Sequence, residues 1–108
     1  MDIREYLGED YKAILDFESW RIGMLHYSER FAEFKEEERH LLTDEAFILL
    51  DGEATLYEER IPYKMEKCKV YNIKKGLWHQ IIMSEDATVI VVENSNTSKE
   101  NSERRSVI

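Results

Sequence analysis

Four side chains in this sequence have the types and spacing to hold a cation between them. Glu38 and His40 are two positions apart, so on a strand their side chains leave by the same face. Glu45 follows after a gap that a turn at Thr43-Asp44 closes, and it points the same way as Phe47 and Leu49. His79 comes later, in Gly76-Leu-Trp-His79, in phase with Ile81 and Met83. If these faces converge inside a small barrel, two imidazoles and a carboxylate with open positions form a ligand set typical of Fe(II) and compatible with Mn, Ni, Zn or Cu. Two neutral imidazoles and two ionised carboxylates would offset a divalent ion, leaving bound water as the exchangeable position. The same residues also allow a site with no ion. In that case His40, Glu45 and His79 simply hydrogen-bond one another, and Glu38, in the run Glu36-Glu37-Glu38, belongs to a solvated face.

The elements that must position these groups read as short strands. Phe17 to Tyr27 alternates, with Trp20, Ile22, Met24 and His26 on one face and Arg21, Gly23, Leu25 and Tyr27 on the other. This makes His26 a candidate to point into the interior. Ser28 to Glu37 is a charged connection anchored by Phe31 and Phe34. Glu38 to His40 is a brief strand, and Ala46 to Leu50 is an apolar run closed by Asp51-Gly52. Asp-Gly between two apolar runs predicts a hairpin pairing this run with Glu53 to Glu59. Arg60-Ile61-Pro62 breaks that strand, because proline cannot donate to a central ladder. Tyr63 to Ile73, with Cys68 as a plain strand residue, and Leu77 to Met83 supply further strands. Thr88 to Glu93, the most β-branched run, is the expected central one.

Flanking this barrel of residues 17–93 are two weaker segments. Residues 1–16 read as an arm or short helix, from the roughly helical spacing of Tyr11, Ile14, Leu15 and Phe17. Residues 94–108 form a polar tail that is frayed or docks as an arm. Trp78 and Tyr27 join His26 as candidate ligand contacts. Trp78 suits stacking on a ring or sugar at the barrel mouth, and Tyr27 suits hydrogen-bond donation; both serve equally well as packing or sheet-face residues.

Composition narrows the partners. The 108 residues suit one core, with 43% hydrophobic and 35% charged residues. A net charge of -8 opposes a phosphate backbone, so no nucleic-acid partner is expected. One cysteine, Cys68, excludes an internal disulfide framework. Without an apolar h-region or a long apolar run, a cytoplasmic protein without membrane contact is the expectation. Edge strands in a small barrel are often protected by a second copy, so a homodimer is expected.

With these residues in view, the sequence resembles the cupins, small double-sheet β-barrels of the jelly-roll kind. The family's first motif, His-x-His-x4-Glu-x6-Gly, is matched by Glu38-x-His40-x4-Glu45-x6-Gly52, and its second, Gly-x2-His, by Gly76-Leu77-Trp78-His79. With the intervening strands, the resemblance covers roughly 17–93. It implies an all-β fold, a small-molecule ligand in the barrel, and His40, Glu45 and His79 as ligands to a divalent Fe, Mn, Ni or Zn. Three positions depart from the pattern. Glu38 stands where the metal-binding members have their first histidine, Lys74-Lys75 replaces the usual proline, and Met83 replaces an asparagine. The resemblance therefore implies metal-assisted chemistry on a small acid or sugar derivative, with Glu38 as fourth ligand or general base. The departures favour a metal-free ligand-binding or sensing module instead.

Overall fold

Alternating burial along the strands builds two sheets that face each other. The computed structural model describes residues 1–108. One sheet has the order β1 (Asp10–Phe17), β2 (Trp20–His26), β9 (Thr88–Asn94), β4 (Glu45–Asp51), β7 (Val70–Ile73). The other runs β10 (Ser102–Ser106), β3 (Glu36–His40), β8 (His79–Met83), β5 (Ala54–Glu58), β6 (Ile61–Lys64). Phe47 and Leu49 on β4, Val89 and Val91 on β9, Leu56 on β5, and Ile81 and Met83 on β8 form the core between the sheets. Their outward neighbours on β4, β5 and β9 remain at least partly exposed, which is the period-2 pattern of a half-buried strand. This is the expected all-β jelly roll, and Thr88–Asn94 lies at the centre of its sheet. No helix is long and apolar enough to cross a membrane.

The Asp51-Gly52 turn is not a hairpin. β4 already has β9 on one edge and β7 on the other, so no edge is left for β5, and the chain crosses to the second sheet instead. Gly52 has φ +73, and a Cβ there would lie 2.6 Å from Ala87 Cα. Glycine is therefore required at this crossing. The hairpin in this region joins β5 to β6, and its two turn residues, Glu59 and Arg60, have φ of 49 and 68. Two positive φ values mark the turn type that matches strand twist, here without the usual Asn or Gly. Pro62 sits on edge strand β6, where a missing donor is tolerated. Cys68, expected on a strand, lies exposed in a turn with φ 65.

Both flanking segments contribute strands. Asp10–Phe17 pairs along β2, and the register slips between Ala13 and Leu15. That bulge adds a residue to the strand and breaks strict alternation, which is why the apolar spacing imitates a helix. The polar tail forms β10, antiparallel to β3 from Ser102 opposite His40 to Ser106 opposite Glu36. Charge complementarity orders it. Arg105 donates to Glu37 at 2.7 Å and Arg104 to Glu36 at 3.3 Å, so the acidic run of β3 faces a basic strand.

Candidate metal centre

Strand geometry brings the four sequence-selected groups to one place. Glu38 and His79 are cross-strand neighbours on β3 and β8, His40 ends β3 on the same face as Glu38, and Glu45 enters from the opposite sheet as the first residue of β4. One ligand atom from each, four in all, lies within 4.8 Å of the others. The turns between motifs are tied together. Gly76 N–H donates to the His40 carbonyl at 2.7 Å, and Lys75 N–H donates to Asp44 Oδ1 at 2.9 Å.

Glu45 is the shared partner. Its Oε1 lies 2.8 Å from His79 Nε2 and 3.3 Å from His40 Nε2. The His40 approach is out of line for a hydrogen bond, so His40 Nε2 is a buried polar atom without one. Glu38 Oε1 stands 3.9 Å from the same nitrogen. The His79 ring is fixed at its other end, where Nδ1–H donates to the Leu77 carbonyl at 3.0 Å. Because a carbonyl only accepts, Nδ1 carries a proton, and Nε2, which donates to Glu45 in the metal-free protein, is the nitrogen that a ligand would take by displacing its proton.

The charges balance without an ion through shared protons. Burial opposes ionisation of Glu45, but the imidazoles of His40 and His79 prevail and hold it well below the usual carboxylate range. Burial likewise disfavours charge on both histidines. The carboxylate of Glu45 overrides it, and both titrate above the ordinary histidine value. A divalent ion entering here would displace those protons. The fit rests on two imidazole nitrogens and a buried carboxylate converging, with His40 Nε2 lacking any other partner.

A second carboxylate lies beside this set. Glu93 on β9 is the cross-strand partner of Glu45 and is buried. Burial and the charge of Glu45 push Glu93 up to about 7, against the pull of Arg21. Arg21 donates to Glu93 Oε1 through Nη2 at 2.8 Å and Nε at 3.1 Å, and the Tyr11 hydroxyl adds a third bond at 3.2 Å. Gly23 gives the Tyr11 ring its path, since a Cβ there would lie 2.2 Å from Tyr11 Cε1. Above these groups opens a cavity of about 840 Å³, walled by Phe31, Phe47, Leu25 and Val91, with Arg30, Lys99 and Arg104 also in its lining.

The remaining sequence candidates lie elsewhere. His26, Trp78 and Tyr27 are not part of the cavity lining. On β2 it is Leu25 and Arg21 that face inward; His26 faces outward, donating from Nε2 to the Tyr6 carbonyl at 2.6 Å and accepting at Nδ1 from Thr88 at 3.3 Å. The expected face is reversed, and on the outer face Tyr6 of the N-terminal arm meets the His26 ring, 5.8 Å between centroids. Trp78 is packed against the guanidinium groups of Arg105 and Arg39, 3.9 and 4.7 Å from its ring centroid. Tyr27 packs against the core. The sequence reading missed Tyr11, Arg21, Glu93, Ser102 and Arg104. For Glu93 a signal existed: a carboxylate in phase with buried Val89 and Val91.

No protein-family model and no curated protein matches the sequence. Solved structures do match the backbone. PAC13, a nucleoside dehydratase, superposes with a TM-score of 0.72 over 97% of this chain and 87% of that one, at 6% identity; a Streptomyces PAC13 variant was solved with uridine. A cupin-2 domain protein from Shewanella frigidimarina gives 0.67 over 82% of this chain and 84% of that one, at 17% identity. KdgF from Halomonas sp. also gives 0.67, over 83% and 80%, at 11% identity.

Proposed function

We propose that this chain, a small cupin barrel, holds a divalent metal ion through His40, Glu45 and His79, and binds a small polar molecule in the cavity above it. Glu38 serves as fourth ligand or general base. The observation that carries this reading is the convergence of four ligand atoms within 4.8 Å around an imidazole nitrogen with no other hydrogen bond. When bound, such an ion polarises an oxygen of the ligand or acidifies a water. The chain's own residues do the rest. Arg21 and Tyr11 fix Glu93 beside Glu45, Phe31 and Phe47 exclude water from the walls, and Lys99 and Arg104 present positive charge to an acidic group. This suits a small acid or sugar derivative undergoing oxygenation, isomerisation or elimination. The uridine-bound PAC13 barrel supports a ligand of that size and polarity. A homodimer fits the open edges of β1 and β7, where Phe17 and Val70 are exposed; a monomeric mass by light scattering would remove it.

A second reading, a metal-free binding or sensing module, draws on the same contacts. His79 and Glu45 satisfy each other at 2.8 Å, and Glu38 Oε2 already pairs with Arg104 at 3.3 Å. Metal analysis of protein purified without chelator or added metal separates the two. Stoichiometric iron, manganese, nickel or zinc that disappears in His79→Ala is the expected result. A metal-free protein whose melting temperature ignores every divalent ion leaves the binding module.

A further inference from the structure

β3 carries two of the four ligand candidates, yet its own sheet holds it weakly on one side. Its register with β8 is the single pair Glu38–His79, whereas β10 runs beside it from His40 to Glu36. Each ligand candidate on β3 meets a β10 side chain directly across. Ser102 Oγ lies 2.8 Å from His40 Nδ1, and Arg104 Nη2 lies 3.3 Å from Glu38 Oε2. Ser102 is itself well anchored. The preceding turn is closed by Ser98 N–H donating to Asn101 Oδ1 at 3.0 Å and by the Asn101 side-chain amide donating to the Asn96 carbonyl at 2.8 Å. Leu41 N–H then donates to the Asn101 carbonyl at 2.9 Å, clamping the start of β10 to the end of β3.

We infer that Ser102 is a positioning residue of the metal centre, holding the His40 ring at Nδ1 so that Nε2 faces Glu45 and Glu38. A hydroxyl both donates and accepts, so it anchors the ring in either tautomer and can take the Nδ1 proton that a histidine must carry when Nε2 binds an ion. His79 is set by a backbone carbonyl, which accepts and nothing else. His40 has only the Ser102 hydroxyl at Nδ1. Without it no hydrogen bond holds the His40 ring, and Nδ1 has no partner for the proton it must carry when Nε2 binds an ion. The effect on an ion rests on the metal reading above; the anchoring of the ring does not.

The test uses the full chain and its Ser102→Ala and Ser102→Thr variants. Long-range ¹H–¹⁵N spectra of the metal-free proteins at alkaline pH report which nitrogen of each histidine is protonated or hydrogen-bonded, with His79 as internal control for folding. Zn²⁺ titration reports affinity. We expect the His40 Nδ1 signal to move in Ser102→Ala to that of a nitrogen without a hydrogen bond while His79 is unchanged, and Zn²⁺ affinity to fall by about 10- to 100-fold, the usual cost of losing a group that orients a histidine ligand. Ser102→Thr, which keeps the hydroxyl, restores both. An unchanged His40 Nδ1 signal in Ser102→Ala overturns the inference, as does Zn²⁺ affinity equal to the parent's. A parent that binds no Zn²⁺ defeats the metal reading, and the nitrogen spectra then decide the role of Ser102 alone.

Discussion

The two histidines flank one carboxylate but belong to different parts of the molecule. His79 is 2% exposed, opens a strand in the middle of its sheet, packs edge-on to Phe47, and is held at Nδ1 by main chain and at Nε2 by Glu45. His40 is 8% exposed and ends a strand whose outer neighbour is the C-terminal β10; it is held by a side-chain hydroxyl, with Nε2 unbonded. Half of the site is part of the core, and half is attached from an edge. The core half sets position, and the edge half supplies the nitrogen left open for a ligand. The sharpest way to break this contrast is to truncate each ring in turn. His79→Ala removes the donor that satisfies buried Glu45 and should cost the metal-free protein about 3–5 kcal/mol, the usual loss when a buried pair is broken on one side. His40→Ala, whose contact with Glu45 is out of line, should cost about 1 kcal/mol. Chemical denaturation measures both, and equal losses would erase the distinction.

A pH series sharpens the same contrast at smaller amplitude. Both imidazoles titrate above the ordinary histidine value of 6.5, so the folded state holds their protons more tightly than the unfolded chain does. Their contribution is fully present below 6.5 and is lost as pH rises through the raised values. Glu93, raised from 4.5 to about 7, acts with the same sign between those limits. Glu45 acts oppositely. Its depressed value means stability that is present above 4.5 and lost on acidification. The metal-free protein should therefore lose stability steadily from mildly acidic to alkaline pH. A cation replaces those protons, so with excess Zn²⁺ the melting temperature should rise over the same range. Thermal melts with and without Zn²⁺ check the two slopes. Parallel curves would mean that no ion takes the place of a proton. In His40→Ala the metal-free slope should shrink but persist, carried by the core histidine.

Much of the core half was legible in the sequence. Glu45, Phe47 and Leu49 share a phase and His79, Ile81 and Met83 share another, which puts Glu45 and His79 on inward faces; the motif resemblance is what implies that those faces converge. The edge half was not legible, because nothing local in 94–108 favours a strand. Ser102 reaches His40 on a strand whose Arg104 and Arg105 face Glu36 and Glu37, across strands far apart in sequence. Opposite charge runs are a weak signal until topology makes them neighbours. The Asp51-Gly52 hairpin failed for a related reason, since local turn chemistry does not reveal that β4 has no free edge. Glu93 was overlooked although its phase was visible, because a carboxylate ending an apolar run reads as a surface residue.

Arg104 allows the finest test of how movable the edge half is. Glu38 has one oxygen 3.3 Å from the Arg104 guanidinium and the other 3.9 Å from His40 Nε2, so the carboxylate is divided between a counter-ion and the site. The Arg104 side chain is 55% exposed, and an ion pair so open to water contributes about 0–1 kcal/mol. Arg104→Ala should therefore change stability by less than about 1 kcal/mol, and by the same measure tighten Zn²⁺ binding by no more than about fivefold as Glu38 turns fully inward. Glu38→Gln should weaken binding, and in that background Arg104→Ala should no longer tighten it, because the arginine competes with the ion only through Glu38, while Arg105 on Glu37 still holds β10 to β3. Calorimetric titration of the four proteins measures the coupling. Weaker binding in Arg104→Ala would mean that the pair steadies Glu38 for the ion instead of competing with it, and that the edge half is as firmly preset as the core half.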